Sequence, residues 1–425
     1  MPVSNYRIIR NFAAKMKKNL SAIVLRGILV AVFALAAQLN VAAQMPLAHA
    51  IDSLLDHPMF MRSQVAVLVY DLDGDSVLYD RGGLQLMRPA SVMKVLTATT
   101  ALTTLGADHT FQTTLGYVGT IEPDTLIADS LPRHNVLRGD LYVRGGFDPM
   151  FDAEDMQALV QALKEKDIYR IEGSILADLS FKDTLKWGEG WCWDDKEATL
   201  TPLLYNARDV FMTQFFRALD TEGILHPLNA YRITDNGAQS ATIALCRRTH
   251  TVSQMLTKMM KDSNNLFAES LFYQLGAKRQ GGTVVKATAR NSAEKEYALI
   301  AQLGLSPDDY TVADGSGLSL YNYLTPQLVV RLLRYAWATP SVLQTLYPSL
   351  PIAGRDGTLK NRMRGTAAEG NVRAKTGTLR KIATLAGYAT TASGKHLAFC
   401  IFNQGLLNSK EGRDFQDRLC LQLVK

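Results

Sequence analysis

The chain has 425 residues, 47% hydrophobic and 20% charged, a globular composition with ample core material and too much length for one ordinary domain. Its formal charge of +6 suggests a polyanionic partner, but Arg7, Arg10, Lys15, Lys17, Lys18 and Arg26 all precede residue 44, in a stretch without Asp or Glu. Setting those six aside leaves 40 basic against 40 acidic residues, so the body lacks the surplus that a nucleic-acid or anionic-membrane footprint needs.

In chain order, that basic leader comes first. The apolar run Gly27–Ala37 follows it, and Val41 and Ala43 then place small residues where a signal peptidase reads. The pattern predicts a secretory signal peptide over residues 1–43, cleaved after Ala43, and hence a periplasmic protein. An uncleaved anchor is the alternative, but 11 apolar residues span about half of a bilayer core as helix. No cysteine near the site invites lipidation, and no later segment is apolar for long enough to cross a membrane.

The next element opens with RPASVMKVL (Arg88–Leu96) and runs to Gly106. Proline before the first turn, glycine at the end and apolar residues nearly all round predict a buried helix. Ser91 is expected in its first turn, with Lys94 at i+3 on the same face. A buried lysine resists charge, so its pKa falls and it can act as a base near neutrality. A serine beside such an amine becomes a nucleophile without a histidine. Taken alone, the pair also fits a snorkelling lysine on an ordinary helix.

Further on, DLYVRG and ATIALC alternate like strands. GWCWDD, ending at Asp195, reads by itself as an edge strand with a solvated acidic end. KDSNNLFAESLFYQLG from Lys261 is a helical stretch opening on Ser263, Asn264 and Asn265. NVRAKTGTLRKIATLAGYA carries Lys375, Thr376, Gly377 and Thr378 between strand-like residues. HLAFCIF is another strand candidate, and RDFQDRLCLQLV an amphipathic closing helix. The four cysteines match no metal template, and the seven histidines form neither an HExxH nor a partner to a GxSxG elbow. Neither a metal nor an organic cofactor is expected.

SxxK, SxN and KTG follow one another in the order found in penicillin-binding proteins and serine β-lactamases. Each part has a chemical role. Ser91 is the nucleophile and Lys94 its base. Ser263 relays a proton to the leaving amine, and Asn265 positions the lysine and the substrate amide. Lys375 adds a cation expected to depress Lys94 further. Gly377 lets the strand edge approach substrate, beside Thr376, and the N–H groups of Thr378 and Ser91 form an oxyanion hole. Taken singly, SNN also fits a helix N-cap and KTG a turn.

The chain resembles the class C low-molecular-mass penicillin-binding proteins. Further blocks carry the likeness: GDLYVRGGFDP, GSILADLSFKD, GEGWCWDD, ADGSGLS and AGRDGTL, from about residue 50 to about 405. The resemblance implies a multi-domain α/β fold: a β-lactamase-like transpeptidase domain, with an antiparallel sheet flanked by helices, interrupted by β-rich accessory structure. Ser91 and Ser263 stand 172 positions apart, which accommodates an insert over 107–249 between peptidase segments 44–106 and 250–425. The short tract from Asp195 to Lys261 implies that a second accessory subdomain is reduced or missing. By likeness the protein is a D-alanyl-D-alanine carboxypeptidase or endopeptidase acting on peptidoglycan peptides and acylated by β-lactams. Asp195 would then pair with the free amine of diaminopimelate, Trp193 would pack on its stem, and Arg355 would meet the adjacent carboxylate. A β-lactamase-like hydrolase and a non-catalytic peptidoglycan-binding scaffold are the alternatives.

Overall fold

A computed structural model describes residues 47–125, 134–227, 231–234, 242–280 and 283–425; the leader read as a signal peptide lies outside them. The chain divides after Asp56. Residues 47–55 form a helix, α1, in the first unit. All other described elements belong to the second, His57–Lys425.

One sheet joins the two ends of this second unit. Strands β1 (Gln64–Asp71) and β2 (Ser76–Arg81) pair with β11 (Arg373–Leu379), β12 (Ile382–Thr390) and β13 (His396–Gln404) in the order β11-β12-β13-β1-β2, antiparallel throughout. A sheet with one wet face alternates apolar and polar residues, yet β1 is buried from Val65 to Asp71 and β12 from Ile382 to Ala389. Both faces are therefore covered. Tyr388 donates its hydroxyl to the Leu333 carbonyl of α8 (Pro326–Ala338). Ala383, of opposite parity on the same strand, packs on Gly412 of α10 (Ser409–Leu423). Successive residues point to opposite faces, so α8 and α10 lie on opposite sides.

The layer on the α8 side also contains α2 (Met93–Thr104), α5 (Val252–Lys261), α6 (Asn265–Gly276), α7 (Ala289–Gln302) and α9 (Pro340–Ser349). Helix α2 packs against α5, α6, α7, α8 and α9 and is buried from Met93 to Leu102, as its nearly all-apolar sequence requires. Two of its buried threonines lose little by burial: Thr97 and Thr99 donate to the Gly315 and Val95 carbonyls, which satisfies their hydroxyls. The start differs from expectation. The α-helix begins at Met93, and Ser91 sits in a 3-10 turn, Ala90–Val92, just ahead of it.

The second sheet is built within residues 110–251. Strands β3 (Thr110–Pro123), β4 (Asn135–Arg144), β6 (Ile175–Asp178), β7 (Tyr231–Thr234) and β8 (Ile243–Thr251) run in the order β7-β6-β4-β3-β8, and β5 (Ile168–Ile171) also pairs with β4. Of DLYVRG, residues Asp140 to Arg144 fall in β4, and of ATIALC, residues Ile243 to Cys246 fall in β8, while Ala241 lies outside the described residues. The β4–β5, β4–β6 and β6–β7 pairs are parallel, which demands crossovers. Helix α3 (Ala153–Glu165) lies between β4 and β5, and α4 (Phe211–Thr221) between β6 and β7. Their apolar sides bury Phe151, Leu159 and Phe215 against Leu115, Leu141 and Val143 of the sheet. Capping boxes start the neighbouring helices, Asp152 with Asp155 at α3 and Thr251 with Gln254 at α5. A small hairpin, β9 (Lys278–Gln280) and β10 (Thr283–Val285), lies between α6 and α7 in the chain. Among the described residues no helix is long and apolar enough to cross a membrane, and the four cysteines are free thiols.

Candidate active site

The 3-10 turn before α2, the start of α6 and the edge strand β11 converge. Ala90 takes φ +47°, in the left-handed region, and Ser91 follows it. Two glycines make this turn possible. A Cβ on Gly317 would fall 1.8 Å from the Ala90 carbonyl oxygen. One on Gly377 would fall 2.1 Å from Thr384 Oγ1 and 2.9 Å from both Pro89 O and Ser91 N. The close approach anticipated for Gly377 is thus to the turn that carries Ser91.

Lys94, the second residue of α2, lies one turn past Ser91 and is fully buried. Its Nζ meets Ser91 Oγ at 2.9 Å, Asn265 Oδ1 at 2.7 Å and the Ser316 carbonyl at 2.7 Å. The carbonyl and the amide oxygen can only accept. A neutral amine gives them its two N–H groups, and its lone pair is left facing the serine hydroxyl.

Asn264, the middle residue of SNN, is the N-cap of α6 and accepts from Phe267 N at 3.1 Å. Ser263 before it takes φ +58°. Its hydroxyl oxygen accepts from Lys375 Nζ at 2.8 Å, and that amine also donates to the Thr376 carbonyl at 2.8 Å. KTG is therefore strand rather than turn. Thr376 donates its hydroxyl to Thr358 Oγ1 at 2.7 Å, which ties AGRDGTL to β11, while Thr378 is exposed at the strand's outer end.

The charges follow from burial. Desolvation pushes Lys94 down to about 8, opposed by the carboxylates of Asp314, Glu269 and Glu197. Lys375, also fully buried, is held well below the usual lysine range by burial and then by the Lys94 charge. The expected effect thus runs in reverse: carboxylates hold Lys94 up against its own burial, and Lys375 is the amine that its neighbour depresses. Glu269 is pushed up to about 8, chiefly by burial and secondarily by Asp314. Asp314 itself accepts from the backbone N–H groups of Gly317 and Ser319, from Asn322 Nδ2 and from Trp191 Nε1.

Residues 47–208 and 199–423 match the D-Ala-D-Ala carboxypeptidase 3 (S13) family. The chain belongs to that family. It is a class C low-molecular-mass penicillin-binding protein and an enzyme of the serine-type D-Ala-D-Ala carboxypeptidase class. It is 28% identical over 448 residues to a D-alanyl-D-alanine carboxypeptidase of an Actinomadura species, covering 84% of this chain and 80% of the relative. It is 25% identical over 432 residues to the D-alanyl-D-alanine carboxypeptidase DacB of Haemophilus influenzae, covering 81% and 86%. The fold matches the crystal structure of penicillin binding protein 4 from Haemophilus influenzae with a TM-score of 0.75 at 23% identity, over 88% of this chain and 98% of that one. The same Haemophilus protein has been solved in complex with a β-lactam. The multi-domain α/β fold expected from the resemblance is borne out.

Within this S13 enzyme, three of the anticipated residues stand apart from the convergence. GWCWDD is a loop, not an edge strand. Trp193 is 97% exposed, and the Asp195 carboxylate accepts from the Cys192 amide at 2.7 Å, closing the loop on itself. Cys192, Asp194 and Asp195 bring one ligand atom each within 4.8 Å of one another, as the same turn requires. Arg355 is exposed, its guanidinium lying over Gly370. The loop reaches the site instead through Trp191, which donates to Asp314, and Glu197, which accepts from Asn265 Nδ2 at 2.7 Å. Glu269 had a signal in the sequence, since it lies four residues after Asn265 and so on the same helix face. Asp314 and Ser316 belong to ADGSGLS. Glu197 had no signal.

Proposed function

We propose that this protein is an exported periplasmic serine DD-peptidase acting on peptidoglycan peptides. It cleaves D-Ala–D-Ala or D-Ala–diaminopimelate bonds through an acyl-enzyme on Ser91, and β-lactams acylate the same serine. The observation that carries this reading is the bonding of Lys94. Its Nζ lies 2.7 Å from two oxygens that can only accept and 2.9 Å from Ser91 Oγ, so in the neutral form both N–H groups are committed to those acceptors and the lone pair faces the serine. The β-lactam complex of the Haemophilus protein supports the inhibitor class, and the basic leader with its short apolar run supports export.

In acylation the Ser91 proton passes to Lys94 while Oγ attacks the carbonyl carbon. The N–H groups of Ser91 and Thr378 take the developing oxyanion. Lys375 donates to Ser263 Oγ, which leaves the Ser263 hydroxyl hydrogen free to pass to the leaving nitrogen as the C–N bond breaks. The proton held on Lys94 then restores Ser263. Water attacks the resulting ester and gives one proton to Lys94; as the bond between the acyl carbon and Ser91 Oγ breaks, that proton returns to Oγ, and the product leaves as a carboxylic acid that releases its remaining proton to solvent. Lys375 receives the substrate's terminal carboxylate, whose charge favours the ammonium form that burial disfavours.

The test uses a fluorescent penicillin and intact-mass measurement on the wild type and Ser91→Ala, followed by digestion of a muropeptide pool. A stable adduct on the wild type, none on the variant and loss of terminal D-alanine or of cross-links are expected. Label on Ser91→Ala would overturn the nucleophile. Rapid penicillin turnover without peptide cleavage would favour a β-lactamase.

A further inference from the structure

Glu197 lies two residues past Asp195 and is partly buried. Its Oε1 accepts from Asn265 Nδ2 at 2.7 Å, at the opposite end of the amide from the oxygen that accepts from Lys94 Nζ at 2.7 Å. We propose that Glu197 is a positioning residue: it fixes which end of the Asn265 amide meets Lys94, and thereby keeps the lysine lone pair on Ser91. This rests on the acyl-enzyme reading above.

An ionised carboxylate has lone pairs and no hydrogen to give. Facing Asn265, it accepts only the NH2 end, so the amide oxygen must turn to the lysine. Without Glu197 the amide is free to turn over. Against a charged ammonium the reversed amide would set donor against donor, and the lysine alone would reject it. Against the neutral amine, the form that accepts a proton, the reversed NH2 would donate into the lone pair. That is the lone pair Ser91 needs. Glu197 is therefore required in the reactive protonation state, and it leaves the second Nδ2 hydrogen for a substrate carbonyl.

Glu197 also bears on the lysine by charge. Lys94 faces Glu197 from the 188–200 loop, Glu269 from α6, Asp314 from the ADGSGLS loop and Lys375 from β11, while Glu296 of α7 is buried and coupled to Glu269 and Asp314. Removing one carboxylate lowers the pH at which Lys94 gives up its proton. Charge and orientation are separable in part. Glu197→Gln loses the charge and keeps an acceptor oxygen for Nδ2, but its own NH2 can also donate to a reversed Asn265 amide, so it only weakens the preference. Glu197→Ala loses both.

The experiment measures the second-order rate of Ser91 acylation by fluorescent penicillin against pH, for the wild type, Glu197→Gln, Glu197→Ala and Ser91→Ala, with melting curves for each. Both Glu197 variants should move the acid limb to lower pH. On the alkaline plateau, where Lys94 is neutral in all of them, Glu197→Ala should fall about tenfold, on the scale of one hydrogen bond to a charged group, and Glu197→Gln by no more than that. A plateau in Glu197→Ala equal to the wild type, or a larger loss in Glu197→Gln than in Glu197→Ala, would overturn the positioning role. An acid limb that stays put in both would overturn the charge coupling. A wild type that takes no label at Ser91 would overturn the acyl-enzyme reading, and this inference with it.

Discussion

Gly377→Ala adds one methyl group at the seam between β11 and the turn that carries Ser91. The new Cβ would sit 2.1 Å from Thr384 Oγ1, with Pro89 O and Ser91 N each at 2.9 Å. The Thr384 hydroxyl already donates to the Pro89 carbonyl at 2.7 Å and is buried, so it cannot swing clear without abandoning that bond. Overpacking of this kind costs about 1–3 kcal/mol, and a lost neutral hydrogen bond about 0.5–1.5 kcal/mol, for roughly 2–4 kcal/mol together. The two backbone contacts belong to the nucleophile's own turn. Relief of strain therefore moves Ser91 away from Lys94, and a displacement of about 1 Å costs on the order of 10²-fold in rate. Thermal melting and penicillin acylation rates report the two effects separately. Adding Thr384→Ala removes the closest clash, so the double variant should recover stability but not acylation, because both backbone contacts remain. Gly394→Ala is the control: φ there is +87° with nothing within 4 Å, so it should cost about 1 kcal/mol and leave acylation unchanged. Wild-type acylation by Gly377→Ala would refute the geometry described for the turn.

Lys94→Met fills the same volume without an amine. It should acylate about 10²–10⁴ times more slowly and still fold, with a lower melting point because the Asn265 and Ser316 oxygens lose their donor; a normal rate would return Lys94 to a structural role. Since the reactive form is deprotonated, wild-type acylation should rise with pH through about 8 and then level off, and a flat profile there would contradict the base assignment. Asp195→Ala should slow cleavage of peptides with a free diaminopimelate amine roughly ten- to a hundredfold and leave penicillin acylation nearly unchanged. Equal losses on amine-free and amine-bearing peptides would instead assign its carboxylate to the Cys192 turn alone.

What was legible in the sequence divides by distance along the chain. Ser91 and Lys94 stand at helical spacing, so local periodicity brings them together before any fold is known. Lys94 meeting Asn265 across 171 positions, and Lys375 meeting Ser263 across 112, was readable only because three motifs appear in a familiar order. Glu197 had neither advantage. It sits in a loop without periodicity, and its importance comes from a partner 68 positions away. The electrostatics failed for a related reason. Two lysines were visible, but the carboxylates beside Lys94 come from α6 and two loops, so the balance at that amine is a property of packing.

The structural and chemical readings of the motifs, set against each other in the sequence, turn out to be divided among neighbouring residues. SNN does cap a helix, but the cap is Asn264 alone. A cap lies outside helical geometry while the residue after it lies within, so Ser263 and Asn265 leave the helix start in different directions. One reaches Lys375 and the other reaches Lys94. Capping by itself gives no reason for Ser263 to hold φ +58°, a conformation that non-glycine residues rarely adopt. Chemistry by itself gives no reason for an asparagine between the two reactive positions. The strained serine persists because the Lys375 bond on one side and the cap on the other hold it, which is how strain survives at a site that uses it. KTG follows the same rule: its lysine donates to Ser263, and its glycine supplies the room for a strand to lie against the turn that carries Ser91.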